Sequence, residues 1–336
     1  MTPARLAEIL KAARSRRILV MGDLMLDEFV WGKVGRISPE APVPVVEVTG
    51  ESFYPGGAAN VARNLREFVA CAAVSGLLGN DRGGQQLRGL LEVDRIDVAD
   101  VVEDGEFPTI VKTRIIARQQ QVVRVDRERI CAPSPEQVEQ ITDRLRRRLP
   151  EIDAVILEDY GKGFLGKEIV TRICGLAHDA GKIITVDPNP RHRVEWRNVT
   201  AVKPNRAEAF LAAEIPWSDP VEPVMEDETL LQVGGALLEK WDTHYLLITL
   251  GEQGMMLFER DGAWLHIPTR ARQVFDVSGA GDTAIAFFTL ALACQATARE
   301  AAEIANHASA VVVGKLGTAT VTPAELTASF EDDAVA

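Results

Sequence analysis

The sequence predicts an α/β fold in which helices cover both faces of a mostly parallel central sheet, beside a small accessory β-sheet. Short apolar runs alternate with helical segments, which is typical of βαβ units. Two other stretches, rich in prolines or β-branched residues, lie outside this alternation and are predicted to pair as the accessory sheet. The predicted central strands are residues 17–22, 72–78, 154–157, 183–186, 201–202 and 245–250, and the accessory stretches are residues 29–48 and 107–126.

Composition and charge restrict the class of protein. The chain has 336 residues, of which 46% are hydrophobic, so it can form a complete core. Its net charge of −12 argues against a nucleic-acid or membrane partner. The four cysteines are scattered, as in a reduced cytoplasmic protein. Residues 3–17 form a predicted amphipathic helix without the apolar segment of a signal peptide, and no run is long enough to span a membrane.

Residues 276–282 (DVSGAGD) are the strongest functional signal. They lie between a predicted extended run, residues 265–275, and a predicted buried helix, residues 284–293. Gly279, Ala280 and Gly281 leave the main chain accessible where the helix begins, so its free N–H groups can bind a phosphate. Asp282 would lie beside them as a general base for a hydroxyl group. The alternative is a glycine-rich turn with an acidic helix cap.

Polar side chains also follow the first strand and the first accessory stretch. Asp23 and Asp27 come directly after the apolar run 17–22, where parallel sheets bind ligands, and can accept hydrogen bonds from sugar hydroxyls. Gly56 and Gly57 permit close approach of a ligand to the main chain, and Asn60 can both donate and accept. Turn formation and helix capping explain either aspartate equally well.

The second accessory stretch is basic in an otherwise acidic chain. Lys112, Arg114, Arg118 and Arg124 lie on it and can bind the phosphate of a phosphorylated substrate. A solvated strand face is the alternative for each of them taken singly.

Residues 161–167 (GKGFLGK) match two phosphate-binding patterns. As a P-loop they fail, because Glu168 stands where a serine or threonine should bind magnesium. As a dinucleotide fingerprint they fit the spacing, with Asp187 about twenty residues on, but Glu158 and Asp159 would place negative charge beside a pyrophosphate. A dehydrogenase therefore remains a competing interpretation.

Four motifs in order resemble the ribokinase-like (PfkB) family of carbohydrate kinases. They are residues 55–60 (PGGAAN), 205–208 (NRAE), 249–254 (TLGEQG) and 276–282, and the resemblance covers essentially the whole chain. It implies a ribokinase-like fold and transfer of a phosphoryl group from ATP to a sugar.

Further motifs resemble the heptose 7-phosphate kinases of ADP-heptose synthesis, within the same family. They are residues 22–27, 36–46, 108–112, 159–163 and 311–318. This resemblance implies phosphorylation of D-glycero-β-D-manno-heptose 7-phosphate at O1. Residues 187–191 (DPNPR) are instead closer to more general members, which leaves another sugar or sugar phosphate as the alternative substrate. A sensor that binds sugar and ATP without turnover is a third alternative, which the presence of Asp282 disfavours.

The resemblance also implies roles for individual residues. Asp282 is the base, and residues 279–281 form the anion hole. Mg²⁺ is held through its waters by the 205–208 motif, and a K⁺ loop occurs at the positions of Asp276, Ser278 and Gly317 in some members. The residues implied for sugar hydroxyls are Asp23, Asp27, Gly56, Gly57, Asn60 and Asp159, and those for a distal phosphate are Lys112, Arg118 and Lys162. The residues implied for the nucleotide are Asn205, Thr249, Gly251, Gly254 and Asn306, and Asn205 with Glu208 is implied for Mg²⁺.

We expect one kinase domain over residues 1–330, with the lid at about 28–48 and 107–126. No H-x-G-H-like segment is present, so no adenylyltransferase domain is expected. Relatives often pair through the lid, and an uncovered sheet edge is prone to pairing, so a homodimer is expected.

Overall fold

The computed structural model describes residues 1–118, 120–192, 194–271, 274–315 and 317–334. Gln119, in the second accessory stretch, and Leu316, in the 311–318 motif, lie outside the described residues. The strands are β1 (Arg17–Gly22), β2 (Leu24–Ile37), β3 (Pro44–Gly57), β4 (Cys71–Ser75), β5 (Leu77–Gly79), β6 (Val102–Asp104), β7 (Ile110–Ala117), β8 (Gln120–Arg127), β9 (Ala154–Glu158), β10 (Ile183–Asp187), β11 (Ala201–Val202), β12 (Tyr245–Thr249), β13 (Met255–Glu259) and β14 (Trp264–Ile267). The helices are α1 (Pro3–Ala13), α2 (Ala58–Leu65), α3 (Arg82–Val93), α4 (Pro135–Arg148), α5 (Lys167–Asp179), α6 (Arg206–Ala213), α7 (Glu228–Trp241), α8 (Ala280–Ala293), α9 (Ala298–Val313) and α10 (Pro323–Ala334).

The central sheet has eight strands in the order β14-β13-β12-β11-β10-β9-β1-β4. The six from β12 to β4 pair in parallel, and β13 and β14 add two antiparallel strands at one edge. The predicted α/β fold with a mostly parallel sheet is confirmed. Among the described helices, none combines the length and apolar character needed to cross a membrane.

Both faces of the sheet are covered, as continuous apolar strands require. Along β1, Ile18 and Val20 pack into one buried cluster with α1, α2, α8, α9 and α10. Leu19 and Met21 alternate with them and pack into a second cluster with α4, α5, α6 and α7. The helix α8 is apolar almost all round because it is buried between the sheet and other helices.

The predicted accessory sheet is confirmed and has the strand order β3-β2-β7-β8. Its strand β2 is antiparallel to β3 and parallel to β7, and β7 and β8 form a hairpin. All eight residues of β8 are exposed, so this outer strand leaves an open edge.

Four predicted elements are interrupted in the structure or end at least three residues earlier than expected. The run 72–78 is broken at Gly76, where a Cβ would lie 2.6 Å from Gly22 O, and β5 leaves the central sheet to pair with β6. The extended run 265–275 ends as a strand at Ile267, because Pro268 cannot donate to a sheet ladder. The first helix ends at Ala13, and the helix after the glycine pair ends at Leu65.

Candidate active site

Asp282 lies in the first turn of α8, as predicted, and both of its carboxylate oxygens accept hydrogen bonds from fixed donors. Asn60 Nδ2 donates to Oδ2 at 2.7 Å, and the hydroxyl of Tyr160 donates to Oδ1 at 2.9 Å. The side chain is 6% exposed. Burial raises the pKa of Asp282 to about 6, although the two hydrogen bonds favour its ionised form. Such a carboxyl is ionised at neutral pH and still able to take a proton.

The turn before Asp282 has the geometry of an anion site. Gly279 has φ +77°, and a Cβ there would lie 2.9 Å from Asn60 Nδ2, so glycine suits both the backbone and the space. The N–H groups of the first helical turn have no partner within the helix. Ala280 is an exception among the predicted donors, because its N–H donates to Val277 O at 3.2 Å. Gly281 and Asp282 therefore provide the more accessible amides.

A buried charge cluster, which the sequence analysis did not identify, adjoins this turn. Glu158 and Asp187 end the paired strands β9 and β10, and Lys203 Nζ lies 2.8 Å from Asp187 Oδ2. A Cβ placed on Gly281 would lie 3.5 Å from the same Lys203 nitrogen. The cluster therefore places one ammonium group and several carboxylates beside the anion site and Asp282.

The ionisation of this cluster is strongly perturbed. Burial, together with the charges of Asp187 and Asp282, holds the pKa of Glu158 well above its usual range. Its Oε2 atom is buried and has no hydrogen-bond partner among the described residues. Burial raises the pKa of Asp187 to about 6, although Lys203 opposes the rise. Burial also acts against the charge of Lys203, but Asp187 holds the pKa of this lysine above its usual value.

The structure gives Asp23 a role other than the predicted contact with sugar hydroxyls. Its buried carboxylate accepts the main-chain N–H groups of Tyr160 (3.0 Å), Lys162 (3.0 Å) and Phe164 (3.3 Å). Burial raises the pKa of Asp23 to about 6 despite these bonds. Because its hydrogen-bonding capacity is largely used by the 160–164 loop, Asp23 supports the shape of that loop.

The same contacts contradict the dinucleotide interpretation of residues 161–167. The amides of Lys162 and Phe164 point at Asp23 and cannot cradle a pyrophosphate. The loop is instead a partly buried support beside Asp282.

Asp159 is also occupied by protein groups. Its side chain is fully buried, and it accepts the N–H of Gly161 at 2.8 Å. His192 Nδ1 lies 3.1 Å from its other oxygen, and this hydrogen bond raises the pKa of the histidine. Asp159 is thus hydrogen-bonded to His192. The sequence analysis did not identify His192.

Asp27 lies on β2 and is buried against two groups. Arg114 Nη1 is 2.5 Å from Asp27 Oδ1, and a Cβ on Gly56 would lie 2.5 Å from Asp27 Oδ2. Gly56 is therefore required for close approach to this carboxylate. Gly57 has φ +58° at the end of β3, where the chain turns into α2 and carries Asn60 toward Asp282.

Two of the three predicted phosphate-binding residues come together, and the third does not. Lys162 Nζ lies 2.7 Å from Glu128 Oε1, and Lys112 Nζ lies 3.7 Å from Glu128 Oε2 and 3.8 Å from Asp126. Arg118 lies six positions farther along the β7–β8 hairpin, roughly 20 Å from Lys112 at the rise of a strand. The structure therefore separates Arg118 from the two lysines.

Four of the five predicted nucleotide residues line one cleft of about 470 Å³, and the fifth, Asn205, is not part of its lining. The cleft reaches Ala280 and Gly281, so it leads to the anion site, and apolar side chains such as Val274 and Val313 form much of its wall. Asn306 also donates from Nδ2 to Pro268 O at 2.6 Å, which fixes its amide. The four predicted residues in the lining are Thr249, Gly251, Gly254 and Asn306.

Asn205 and Glu208 form a helix-capping box at the start of α6. Asn205 Oδ1 accepts the N–H of Glu208 at 2.9 Å, and Glu208 Oε2 accepts the N–H of Asn205 at 2.8 Å. In the described part of the chain, no three acidic, histidine or cysteine side chains are grouped as a direct metal site. The charge of Glu208 nevertheless acts on Asp187 and Lys203. This acidic surrounding fits Mg²⁺ held mainly through water and phosphate.

The predicted cation loop is closed by hydrogen bonds. The carboxylate of Asp276 accepts the N–H groups of Ser278 at 2.9 Å and of Gly317 at 3.1 Å. Partial burial acts in the opposite sense, but these bonds hold the pKa of Asp276 below its usual value. Asp276 thus joins the anion-site turn to the segment after α9.

Comparisons with known proteins agree with this geometry. The chain is 42% identical over 94% of its length to the "Bifunctional protein HldE" of Citrifermentans bemidjiense and 42% identical over 93% to that of Edwardsiella ictaluri. It covers 63% of each of these proteins. In fold it is similar to phosphofructokinase-2 from Escherichia coli in complex with potassium (TM-score 0.75, 19% identity, 95% of this chain and 99% of that one). It is also similar to Arabidopsis thaliana ribokinase complexed with ribose and ATP (TM-score 0.70, 17% identity, 94% and 99%).

Residues 15–325 match the pfkB family carbohydrate kinase profile. The chain therefore belongs to the pfkB family of carbohydrate kinases, and the enzyme class predicted from the sequence, an ATP-dependent carbohydrate kinase, is confirmed.

Proposed function

We propose that this kinase transfers the γ-phosphoryl group of ATP to O1 of D-glycero-β-D-manno-heptose 7-phosphate, giving the 1,7-bisphosphate in ADP-heptose synthesis for the lipopolysaccharide core. The observation that carries the chemistry is the position of Asp282. It lies at the start of α8, between the nucleotide cleft and the buried polar groups that follow β9 and β10. The heptose motifs in the sequence and the similarity to the HldE proteins support the substrate. The four free cysteines support a reducing, cytoplasmic location.

In this mechanism Asp282 accepts the proton of the sugar O1 hydroxyl as O1 bonds to the γ-phosphorus and the bond to the ADP oxygen breaks. Its pKa of about 6 leaves it ionised at neutral pH, and general base catalysis of this kind typically contributes about 10²–10⁴ in rate. Asn60 and Tyr160 hold both carboxylate oxygens, so the carboxylate keeps one orientation while it waits for the hydroxyl.

The negative charge on the transferring phosphoryl group is stabilised by the N–H groups of the first turn of α8 and by Lys203. The amides of Gly281 and Asp282 face the anion site, and each such donor is typically worth about 10²–10³ in rate. Lys203 adds a positive charge next to Gly281. Asn205, Glu208 and the nearby Asp187 would hold Mg²⁺ through its waters, and the ion would neutralise charge on the phosphate oxygens.

The sugar is assigned to the groups between Asp282 and the accessory sheet, which serves as the lid. We assign sugar hydroxyls to Asn60 and Asp27, with Gly56 and Gly57 beside them; Gly56 leaves the space that the Asp27 carboxylate occupies. Lys112 and Lys162 bind the distal phosphate, in exchange for Glu128. The position of Arg118 at the hairpin tip does not support its assignment to the same phosphate, and Asp23 and Asp159 act as supports. A K⁺ site at Asp276 and Ser278 remains part of the proposal.

We propose that the lid also mediates a homodimer. Val123 and Val125 on the outer strand β8 are 45% and 50% exposed, and Val48 on β3 is 57% exposed. An open strand edge with exposed valines is prone to pair with a second copy of the chain. A monodisperse monomer at micromolar concentration, measured by size-exclusion chromatography with light scattering, would contradict this assignment.

The first experiment compares ADP release with Mg-ATP and four acceptors: the heptose 7-phosphate, ribose, fructose and fructose 6-phosphate. We expect turnover with the heptose 7-phosphate and poor turnover of the unphosphorylated sugars. Asp282→Asn should lower kcat at least about 100-fold, since it removes the base. Faster turnover of another acceptor would favour the alternative substrate suggested by residues 187–191. The assignment of Asp282 as the base would then stand, but the assignment of lid residues to a sugar phosphate would be wrong.

A further inference from the structure

Tyr160 is a half-buried polar side chain in contact with Asp282 for which the family resemblance assigns no role. It follows β9 directly, and its hydroxyl donates to Asp282 Oδ1 at 2.9 Å across a sequence separation of 122 residues. Burial, together with the charges of Asp282 and Glu158, holds the pKa of the phenol well above its usual value. Tyr160 therefore stays protonated at any working pH and always donates to the carboxylate.

The main chain of Tyr160 is held as firmly as its side chain. Its N–H donates to Asp23 Oδ2, and Asp23 also holds the next parts of the loop through Lys162 and Phe164. Asp23 itself follows β1, whose strand lies next to β9 in the sheet. The position of the phenol oxygen is thus set by the central sheet rather than by a mobile surface loop.

Asn60 completes the arrangement from another direction. It donates to Asp282 Oδ2 at 2.7 Å, so the two oxygens of the base each accept one fixed donor. A carboxylate has about four lone-pair sites, so both oxygens keep capacity for the sugar hydroxyl. With only Asn60 in place, the carboxylate would be free to turn about its Cβ–Cγ bond.

From this geometry we propose that Tyr160 is a positioning residue for the base: its hydroxyl fixes the orientation of the Asp282 carboxylate and stabilises its ionised form, and Asp23 holds Tyr160 in place. This inference rests on the proposed role of Asp282. It accounts for a carboxyl that is deeply buried beside Glu158 and Asp187 and must still be ionised to act.

The decisive variant is Tyr160→Phe, with Tyr245→Phe as the matched control. Tyr245 lies at the start of β12, at the opposite end of the strands from Asp282, and the same hydroxyl is removed there. We expect the acidic limb of the kcat/KM profile of Tyr160→Phe to move upward by about one pH unit, because a hydrogen bond to the charged form is lost. At the alkaline plateau, kcat should fall about tenfold with little change in KM, and Tyr245→Phe should match the wild type.

A second readout is independent of turnover. In protein labelled with ¹³C at the aspartate carboxyl carbons, the Asp282 signal is identified by its loss in Asp282→Asn. Its titration midpoint should be higher in Tyr160→Phe than in the wild type. If no sugar is phosphorylated, the proposed function fails while this titration still tests the contact. An unchanged midpoint in folded Tyr160→Phe would overturn the inference.

If Tyr160→Phe does not fold, the wild-type side chain can be observed directly. The chain has three tyrosines, so in protein carrying 3-fluorotyrosine the Tyr160 signal is identified as the one that remains in Tyr54→Phe/Tyr245→Phe. Its ¹⁹F shift should titrate with the midpoint of Asp282, and this titration should vanish in Asp282→Asn. A Tyr160 signal that titrates identically with and without Asp282 would overturn the inference.

Discussion

Replacing Asp282, the proposed base, by its amide should make the protein more stable at neutral pH while it lowers kcat at least about 100-fold. Asp282 is buried beside Glu158 and Asp187, and burial raises its pKa from an ordinary 3.8 to about 6. In the unfolded chain the carboxyl ionises near 3.8, so between these two values the folded protein binds more protons than the unfolded one. The free energy of unfolding therefore falls as the pH rises through this window.

The size of the effect follows from the pKa. A rise from 3.8 to about 6 corresponds to roughly 3 kcal/mol at about 1.36 kcal/mol per pH unit, and this penalty is complete above about pH 6. Asparagine carries no charge and can still accept the hydrogen bond from Asn60. We therefore expect Asp282→Asn to match the wild type near pH 4 and to exceed its free energy of unfolding by up to about 3 kcal/mol at pH 8.

The assay is urea unfolding of both proteins from pH 4 to pH 8, with Glu300→Gln as a control of opposite sign. Hydrogen bonds from Arg5 lower the pKa of Glu300 to about 2, so this carboxylate contributes stability above its unfolded pKa, and that contribution is lost as the pH falls toward 2. Glu300→Gln should therefore be less stable than the wild type at pH 8. If Asp282→Asn were less stable than the wild type at pH 8, or if its effect did not change with pH, the argument from burial would be refuted.

Two further predictions concern the accessory sheet. Glu128→Gln should lower KM for the phosphorylated sugar about two- to fivefold, because the carboxylate that competes for Lys162 and Lys112 is lost. KM for an unphosphorylated sugar should not change. Equal effects on both sugars in steady-state kinetics would contradict the phosphate assignment. Arg114→Leu should lower the free energy of unfolding by roughly 2–3 kcal/mol, because Asp27 is left buried without its partner. A loss below about 0.5 kcal/mol in urea unfolding would show that Asp27 is hydrated instead.

Much of the fold could be predicted because its signals are local. Apolar runs of strand length identified the central strands, and the glycine-rich turn at residues 276–282 placed the start of a buried helix within a few residues of its true position. The cleft residues Thr249, Gly251, Gly254 and Asn306 were also found, since a family motif carries most of them. The predicted strand 72–78 was too long because the main chain of Gly22 lies close to Gly76. No local sequence pattern reveals such a contact between distant residues.

The partners of the site residues were much harder to predict. Asp23 and Asp27 look alike in the sequence, but one is bound to amides of the 160–164 loop and the other to Arg114. These contacts join residues 137 and 87 positions apart, and no local spacing encodes them. Arg114 had one usable signal, because it lies two positions after Lys112 and therefore on the same face of a strand. No sequence signal pointed to Lys203, because it follows a strand of only two residues.

The buried charges around Asp282 are difficult to explain as a means of stabilising the fold. Glu158, Asp187 and Asp282 share a buried space with one ammonium group, that of Lys203, and well-packed apolar side chains would serve stability equally well or better. Glu158 Oε2 has no hydrogen-bond partner among the described residues, although a buried polar atom of this kind normally has one. Burial and the neighbouring carboxylates also hold the pKa of Glu158 well above its usual range, so this carboxyl keeps its proton more readily than an exposed glutamate. The stability lost in this cluster is therefore best understood as the cost of the surroundings that raise the pKa of Asp282.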